Sequence, residues 1–440
     1  MGSFFIPLLG LRKRITVMGK VMIDGKEVQK LGFIEIMKRV GPGLILTGVV
    51  IGPGNITMSA MLGASFGYDM LWLLLPIIYM GVTFMLVSYR IGMLTNMPII
   101  HAIRHYYGKT AAQVVGIAMF LSCFFFTLGN ITGTGAGMQL IFDINWKVGA
   151  LIMLAILGYC YFSKGVYAKV EKGILLCIIA MIISFFATLG ALGGPDWGDM
   201  AYGLTHWGFV AGSIGTAIGY ISTNAAVTAG VYGTYLGLEK KWKKEDLFNG
   251  IMFADALVHI ITVVLISGSI VLVGAIVLHP QGLSIKQPAQ LAVMLQPFMG
   301  DAAKYVMGIA LVAAGFSSLL GNTQRGMVLF NAGYNWNVGL ESKPIKLGCL
   351  VSLVIATIIC FAYNGSPTQL IYIANIATAI ATPVAGFFIT RMIFRADVNE
   401  GFGNPVVLKY SMLISYVFVL VVTVFGLSKT VPLLLNSLMK

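Results

Sequence analysis

The chain has 440 residues, of which 58% are hydrophobic and only 10% are charged, and its net charge is +13. A soluble domain of ordinary composition is therefore excluded, and the composition predicts a polytopic membrane protein. The five cysteines include no CxxC motif and the chain has no Walker A motif, which argues against a disulfide framework, a zinc site and ATP hydrolysis.

The N-terminal segment, residues 1–39, is basic and has no short apolar core followed by a small-residue cleavage site. We expect this segment to remain in the cytoplasm, because the Lys- and Arg-rich loops then satisfy the positive-inside rule. The protein is expected to reside in a prokaryotic plasma membrane. Eleven apolar stretches of membrane-spanning length follow, at residues 40–64, 69–95, 110–142, 146–163, 173–193, 207–237, 247–278, 303–330, 346–363, 368–396 and 406–428.

The first span contains the sequence VVIGPGNITM at residues 49–58, in which two glycines, a proline and an asparagine interrupt an apolar run. Proline breaks a helix, and in hydrocarbon every backbone polar group must be satisfied within the protein. Such a break survives only where it faces protein or a water-filled cavity. We therefore expect Gly52, Gly54 and Asn55 to border a substrate site.

The sixth span also has glycines and small polar residues near its centre, in AGSIGTAIGYISTNAAVT at residues 211–228. Spans one and six are five apart, and because five is odd, two five-helix units would have opposite orientations in the membrane. This spacing predicts an all-α membrane protein with inverted repeats at 40–193 and 207–396 and an eleventh helix at 406–428. The alternative is that these glycines only permit close helix packing.

Several stretches resemble helices of the Nramp (natural resistance-associated macrophage protein) metal transporters. GPGLILTGVVIGPGNITMSAMLGASFGYDMLW at residues 41–72 is similar to the first helix of that family. SYRIGMLTN (88–96), GIALVAAGFSSLLGNTQRGMV (308–328) and IYIANIATAIATPVAGF (371–387) resemble its second, eighth and tenth helices. The resemblance implies a LeuT-like fold of eleven helices that works by alternating access.

The chain departs from the family pattern at the metal site. In the family, the Asp and Asn of a DPGN motif and a Met of the unwound sixth helix coordinate the ion. Here Gly52 stands at the Asp, Asn55 is kept, and Gly219 aligns with the Met. No Met or His occurs between residues 207 and 251. The resemblance therefore implies a divergent member that lacks the acidic and thioether ligands of the family.

The acidic residues that serve proton passage in the third helix of the family are also missing. The matching positions in this chain are Thr127 and Asn130. One other candidate pair for proton coupling remains, because Asp255 and His259 lie four residues apart and share one face of the seventh span. Intramembrane ionisable residues are functional candidates by default, although this pair could simply anchor helix contacts.

The absence of acidic residues at the expected site determines which cargo the sequence predicts. A transition metal in a low-dielectric site needs anionic or soft ligands, whereas the predicted pocket offers amides, hydroxyl groups and aromatic rings. These groups suit a small neutral polar solute, with a sugar such as a hexose first and an amino acid second, carried by uniport. Many of them could equally hydrogen-bond to neighbouring helices. The candidate substrate-binding residues are Gly52, Gly54, Asn55, Thr127, Asn130, Gly219, Tyr220, Thr223, Asn224, Phe316 and Asn375.

Two alternatives stay open. The family resemblance by itself implies a divalent metal ion transporter with Mg²⁺ or Mn²⁺ as cargo, and a non-transporting membrane sensor could keep the same fold. An enzyme is not expected, because the five His residues are spread over loops and one span. We expect a small-molecule substrate and the lipid bilayer as partners, with no cofactor, no resident metal and no nucleic acid. The sequence leaves the oligomeric state open.

Overall fold

The computed structural model describes residues 22–23, 26–163 and 166–438, and within these ranges the protein is almost entirely helical. The helical architecture expected from the composition is therefore observed. Ahead of the first broken span lie two short antiparallel strands, β1 (Met22–Ile23) and β2 (Lys26–Glu27), and a short helix with no buried residue, α1 (Phe33–Arg39).

Helices of membrane-spanning length dominate the structure. Within the described ranges, seven helices are long and apolar enough to cross a membrane, judged by length and composition. Two shorter apolar helices accompany them. The first and sixth predicted spans are each built from two short helices instead of one long helix. Together these elements occupy the positions of the predicted spans.

The first broken span consists of α2 (Pro42–Val50) and α3 (Pro53–Phe66). A long helix, α5 (Ile99–Phe142), is also interrupted, because Gly108 has φ 88° and ψ 174°. Glycine adopts this conformation without strain, so it separates a short leading helix from the third span. The other helices of this half are α4 (Leu74–Thr95), α6 (Trp146–Phe162) and α7 (Val166–Ala191).

The second broken span consists of α9 (Ile214–Asn224) and α10 (Val227–Glu239). The sequence predicts that this span begins at residue 207, but the chain is not helical until Ile214. Gly212 has φ 80°, a left-handed conformation that interrupts a helix. The other helices of this half are α8 (Trp197–Thr205), α11 (Ile251–Val273), α12 (Pro288–Val293), α13 (Gln296–Met299), α14 (Ala303–Tyr334), α15 (Lys343–Ala362), α16 (Pro367–Ala377), α17 (Ala381–Phe394) and α18 (Val406–Leu438).

Helices α5 and α14 pack together at glycines that let their backbones touch. A Cβ built on Gly137 would lie 2.8 Å from the carbonyl oxygen of Gly308, and one built on Gly308 would lie 2.9 Å from that of Gly137. In lipid, small residues at helix interfaces allow the close van der Waals packing that holds helices together. The same pair of helices places Asn130 beside Ser318, so that Asn130 Nδ2 donates to Ser318 Oγ at 2.8 Å.

We expect Gly308→Leu to lower the thermal stability of the purified protein, because overpacking between helices costs about 1–3 kcal/mol. Gly190→Leu is the matched control, since a Cβ at Gly190 would meet open space. The measurement is the midpoint of thermal unfolding in detergent. Equal midpoints for the two variants would contradict the assignment of Gly308 to a close helix contact.

Candidate functional site

The chain breaks between α2 and α3 where the sequence predicts. Ile51 has φ −81° and ψ 90°, and Gly52 has φ −124° and ψ 177°, so both residues are extended. Pro53 begins α3 and has no N–H, which ends the hydrogen-bond ladder of α2. Two helix ends with exposed backbone groups therefore face each other inside the apolar part of the protein.

Side chains of α5 and α14 bond to these exposed groups. Asn130 Oδ1 accepts a long hydrogen bond from the backbone N–H of Gly54 at 3.4 Å. On the other side of the break, Ser318 Oγ donates to the carbonyl oxygen of Val49 at 2.6 Å. Asn322 Nδ2 donates to the same carbonyl oxygen at 2.9 Å. Both ends of the break are thus held by polar groups that come from neighbouring helices.

The side chains of Asn130 and Ser318 fill the space beside Gly52. A Cβ built on Gly52 would lie 2.5 Å from Asn130 Oδ1 and 2.6 Å from Ser318 Oγ. Any larger residue, aspartate included, would have to displace both side chains. Two neutral oxygen atoms therefore lie where a side chain of residue 52 would project, and glycine is required as long as α5 and α14 keep their positions.

Two amide oxygens at the break accept no hydrogen bond from the part of the chain that the structure describes. Asn55 Nδ2 donates to Asn224 Oδ1 at 2.9 Å, and Asn224 Nδ2 donates to the carbonyl oxygen of Tyr220 at 2.8 Å. Asn375 Nδ2 donates to the carbonyl oxygen of Ile371 at 2.6 Å. These donors fix the amide orientations, so that Asn55 Oδ1 and Asn375 Oδ1 are buried without a partner among the described residues. A buried acceptor without a donor is a candidate ligand for a cation.

The two free oxygens lie at the same end of α3. A Cβ built on Gly54 would lie 2.8 Å from Asn375 Oδ1, and Asn55 is the next residue of the chain. Helix α2 ends beside this point, and α9 ends at Asn224, which bonds to Asn55. The partial negative charge at a helix C-terminus favours a nearby cation. The C-terminal ends of α2 and α9 and the two free amide oxygens therefore all present partial negative charge to a cation.

The ligands available at the break are neutral. Within residues 22–23, 26–163 and 166–438, no group of three or more His, Cys, Asp and Glu side chains is placed to hold a metal ion. One further oxygen, Thr57 Oγ1 of α3, is buried and has no hydrogen-bond partner among the described residues. A cation at the break would therefore be held by neutral oxygen atoms and water.

The break in the sixth span lies farther along the chain than the sequence alignment places it. Ala225 has φ −118° and ψ 44°, and Ala226 is extended, so the chain leaves α9 there. Gly219 and Tyr220 lie inside the continuous helix α9, and the alignment of Gly219 with an unwound position is wrong. This glycine serves packing instead, because a Cβ at Gly219 would lie 2.3 Å from Met58 Cε.

Other predicted residues are buried but are bonded within their own helices. The hydroxyl group of Thr127 donates to the carbonyl oxygen of Cys123 at 2.9 Å. That of Thr223 donates to the carbonyl oxygen of Gly219 at 2.9 Å. Such back-bonding is a common alternative to a ligand role for Thr in a helix. Phe316 is buried in α14. Thr223 also accepts a 3.5 Å hydrogen bond from Asn224 Nδ2, and Asn224 is the residue that bonds to Asn55.

The remaining predicted residues come together around the break, together with two that the sequence analysis missed. Ser318 and Asn322 were missed because only Phe316 was selected from the stretch that resembles the eighth Nramp helix. The polar spacing of that stretch was the available signal, since residues four apart share one helix face. The side chains that meet at the break belong to Asn55, Asn130, Asn224, Asn375, Ser318 and Asn322, with Gly52 and Gly54 between them.

A second buried polar cluster holds the other end of α2. Asp255 of α11 accepts hydrogen bonds from the backbone N–H groups of Gly41, at 3.0 Å, and Gly43, at 2.9 Å. The hydroxyl group of Tyr89 donates to the same carboxylate at 2.9 Å. A negative charge at a helix N-terminus is stabilised by the helix dipole. This carboxylate therefore ties α2 to α11 and α4.

Comparison with known proteins identifies the family. A family model described as natural resistance-associated macrophage protein-like matches residues 43–429. The chain belongs to the Nramp family. The divalent metal cation transporter MntH of Caldanaerobacter subterraneus subsp. tengcongensis is 21% identical over 363 residues, which cover 80% of this Nramp chain and 83% of that protein. The protein of the same name from Nostoc sp. is 23% identical over 416 residues, which cover 92% of each chain.

Solved structures share the fold of this Nramp protein. The Eremococcus coleocola manganese transporter matches with a TM-score of 0.71 and 16% identity, over 91% of this chain and 89% of that chain. MhsT in complex with L-phenylalanine matches with a TM-score of 0.59 and 15% identity, over 90% and 98%. The predicted LeuT-like fold is confirmed, and the protein is a membrane transporter and not an enzyme. The boundaries of the inverted repeats, 40–193 and 207–396, stay a prediction.

The comparisons correct the predicted cargo. A carrier that moves a sugar or another neutral solute by uniport is the wrong prediction, because the relatives are named divalent metal cation transporters and the structural neighbour is a manganese transporter. The prediction failed because it weighed carboxylates and thioethers and treated amide oxygens as sugar ligands. Amide oxygens without a donor are also ligands for a hard cation.

We expect Gly52→Asp to destabilise the Nramp protein, because the new carboxylate would collide with Asn130 Oδ1 and Ser318 Oγ. Asn130→Ala removes one obstacle, so the double variant should unfold at a higher temperature than Gly52→Asp alone. Thermal unfolding of both single variants and the double variant measures the coupling, which for neighbouring residues is about 0.5–3 kcal/mol. Strictly additive losses would show that the two side chains do not compete for space.

Proposed function

We propose that this Nramp protein carries a divalent metal cation across the membrane by alternating access, with Mn²⁺ and Mg²⁺ as candidate ions. The observation that carries the proposal is the pair of buried oxygens, Asn55 Oδ1 and Asn375 Oδ1, which have no hydrogen-bond partner in the described residues. The relatives support it, since they are named divalent metal cation transporters. Both oxygens lie beside the break, where carriers with broken helices bind their cargo.

Neutral oxygens suffice if the ion keeps part of its water. Mg²⁺ and Mn²⁺ both accept carbonyl and water ligands, and Mg²⁺ gives up its water reluctantly. Retained water leaves the charge partly solvated, which reduces the cost of moving a dication into a medium of low dielectric. The C-terminal ends of α2 and α9 add partial negative charge at the same place. We therefore propose that Asn55 and Asn375 bind a partly hydrated ion.

Removal of either amide oxygen should weaken ion binding. We expect Asn55→Ala and Asn375→Ala each to raise the dissociation constant for Mn²⁺ by about tenfold or more, which corresponds to about 1.4 kcal/mol of lost binding free energy. The measurement is isothermal titration calorimetry of the purified full-length protein, with Mn²⁺ and Mg²⁺ titrated separately. Each variant is compared with wild type at the same pH and ionic strength.

Asn404→Ala is the matched control for these variants, because Asn404 is an exposed loop residue. It should bind ions like the wild type. If the wild type binds neither ion, the cation proposal is wrong. If the wild type binds an ion and both amide variants bind it equally well, the cation proposal stands and the ligand assignment is wrong.

Helix α2 is the element that we propose to move during transport. It is short, it is separated from α3 by the break, and Asp255 holds its N-terminal end against α11 and α4. The basic segment 1–39 supports a cytoplasmic N-terminus, which would place Asp255 on the cytoplasmic side. The bacterial origin of the MntH relatives supports a prokaryotic plasma membrane. Release of α2 from Asp255 would then open the site toward the cytoplasm.

The proton-coupling role of Asp255 and His259 stays a prediction. Protonation of Asp255 would weaken its bonds to the N–H groups of α2, so that proton binding and movement of α2 would be linked. Tyr89 of α4 donates to Asp255, and Lys240 at the end of α10 lies against Gly41. The Nδ1 atom of His259 lies 2.9 Å from the hydroxyl oxygen of a threonine of α2. These polar and charged groups lie along α2.

The double variant Asp255→Asn, His259→Gln tests this role. We expect ion uptake by the variant in proteoliposomes to lose the pH dependence shown by the wild type, because neither replacement side chain titrates. Asp301→Asn is the control, since Asp301 is exposed in the segment that precedes α14. An unchanged pH dependence in a double variant that still transports would exclude the pair as proton carriers.

A further inference from the structure

Arg325 of α14 is a buried positive charge that has no part in the transport cycle described so far. The residue is 3% exposed, and a guanidinium group stays protonated under all ordinary conditions. Its Nη2 donates to Asn322 Oδ1, its Nε donates to Cys123 Sγ at 3.3 Å, and its Nη1 has no partner among the described residues. Within the same residues Arg325 forms no ion pair with a carboxylate. A charge that is buried among neutral groups costs stability, so Arg325 is a candidate for a functional role.

The bond from Arg325 holds the amide of Asn322 in one orientation. An amide side chain has an oxygen that accepts and a nitrogen that donates, and a guanidinium group only donates. Arg325 therefore engages Oδ1, which leaves Nδ2 of Asn322 directed to the other side. There Nδ2 donates to the carbonyl oxygen of Val49 at 2.9 Å and to that of Ser318 at 2.8 Å. Asn322 consequently presents a donor, and not an acceptor, to the break.

The carbonyl group of Val49 needs this donor because its partner within the helix is missing. In a continuous helix it would accept from the N–H of residue 53, which is a proline and has none. Ser318 Oγ donates to this carbonyl oxygen at 2.6 Å, and Asn322 Nδ2 donates to it at 2.9 Å. A carbonyl oxygen has two lone pairs, so both are occupied. The Val49 carbonyl is therefore closed to a cation as long as both donors stay in place.

A continuous series of contacts leads from Arg325 to the free oxygens of the cation site. Ser318 Oγ lies 3.0 Å from Asn322 Nδ2 and accepts from Asn130 Nδ2 at 2.8 Å. Asn130 Oδ1 in turn accepts from the N–H of Gly54 at 3.4 Å, and the Cβ position of Gly54 is 2.8 Å from Asn375 Oδ1. Hydrogen bonds in such a series polarise one another. The orientation of Asn322 is therefore linked to the groups that border the ion.

We propose that Arg325 is a positioning residue that keeps the cation affinity of the transporter low by holding Asn322 as a donor to Val49. The proposal rests on the proposed function, because it concerns the affinity of the same site. Without Arg325 the amide of Asn322 can turn, so that an ion gains the Val49 carbonyl or the Asn322 oxygen as a further ligand. A carrier must release its cargo in every cycle, and weaker binding makes release faster.

Arg325→Met tests the proposal, because it removes every donor of the side chain. We expect the dissociation constant for Mn²⁺, measured by calorimetry of the full-length protein, to fall by about three- to tenfold, which is the effect of about one hydrogen bond. In proteoliposomes the KM for Mn²⁺ uptake and the maximal rate should fall together, whereas structural damage does not lower KM. Arg391→Met is the matched control, because Arg391 is exposed in α17 and the variant loses the same charge. It should bind Mn²⁺ like the wild type.

A second pair of variants separates positioning from a direct effect of the charge. In an Asn322→Leu background, Arg325→Met should change the dissociation constant by less than about twofold, because the amide through which Arg325 acts is gone. A change as large as in the wild-type background would overturn the proposal, since the guanidinium would then act on the ion at a distance. If Asn322→Leu does not fold, Arg325→Lys supplies the comparison. It keeps a charged donor and should bind Mn²⁺ like the wild type, and affinity as high as that of Arg325→Met would contradict the proposal.

The outcomes distinguish this proposal from the one on which it rests. If the wild type binds neither Mn²⁺ nor Mg²⁺, the proposed function fails and the role of Arg325 fails with it. If the wild type binds an ion and Arg325→Met leaves the dissociation constant unchanged or raises it, the positioning role is wrong and the cation site stands. Tighter binding in Arg325→Met, with wild-type affinity in Arg391→Met, supports both.

Discussion

A helix that breaks inside a membrane must bond its exposed backbone groups to the protein, and the rest of this structure is arranged around that requirement. Asn130 and Ser318 meet it on the two sides of the break, where they bond to Gly54 and Val49. These side chains reach the break because α5 and α14 approach each other at glycines. Close helix packing and the polarity of the site are therefore parts of one arrangement.

The same arrangement separates the buried charge of Asp255 from the proposed cation site. The break presents amide and hydroxyl oxygens, whereas the carboxylate of Asp255 lies at the opposite end of α2 and bonds to backbone N–H groups there. Neutral ligands hold a dication less strongly than carboxylates would, which suits a carrier that must also release it.

Much of the fold could be predicted from the sequence, because membrane spans and helix breaks are local properties. Apolar length predicts the spans, and proline between two glycines predicts the break at Gly52. The break in the sixth span has no proline, and its position at Ala225 depends on contacts of α9 with α3 and α16. The sequence alignment placed it too early, because Gly219 admits Met58 and does not end the helix.

The sequence by itself determined the membrane class, the family resemblance, the first break and four of the five amides that meet there. Only the tertiary structure decided which amide oxygens are free. The amide of Asn55 is oriented by its bond to Asn224, on a helix far away in the chain, and that of Asn375 by its bond to Ile371, one turn earlier in the same helix. The tertiary structure also decided that Gly52 has no room for a side chain. The contact between Asn55 and Asn224 and the lack of space at Gly52 depend on distances between helices, which a linear pattern of residues does not contain.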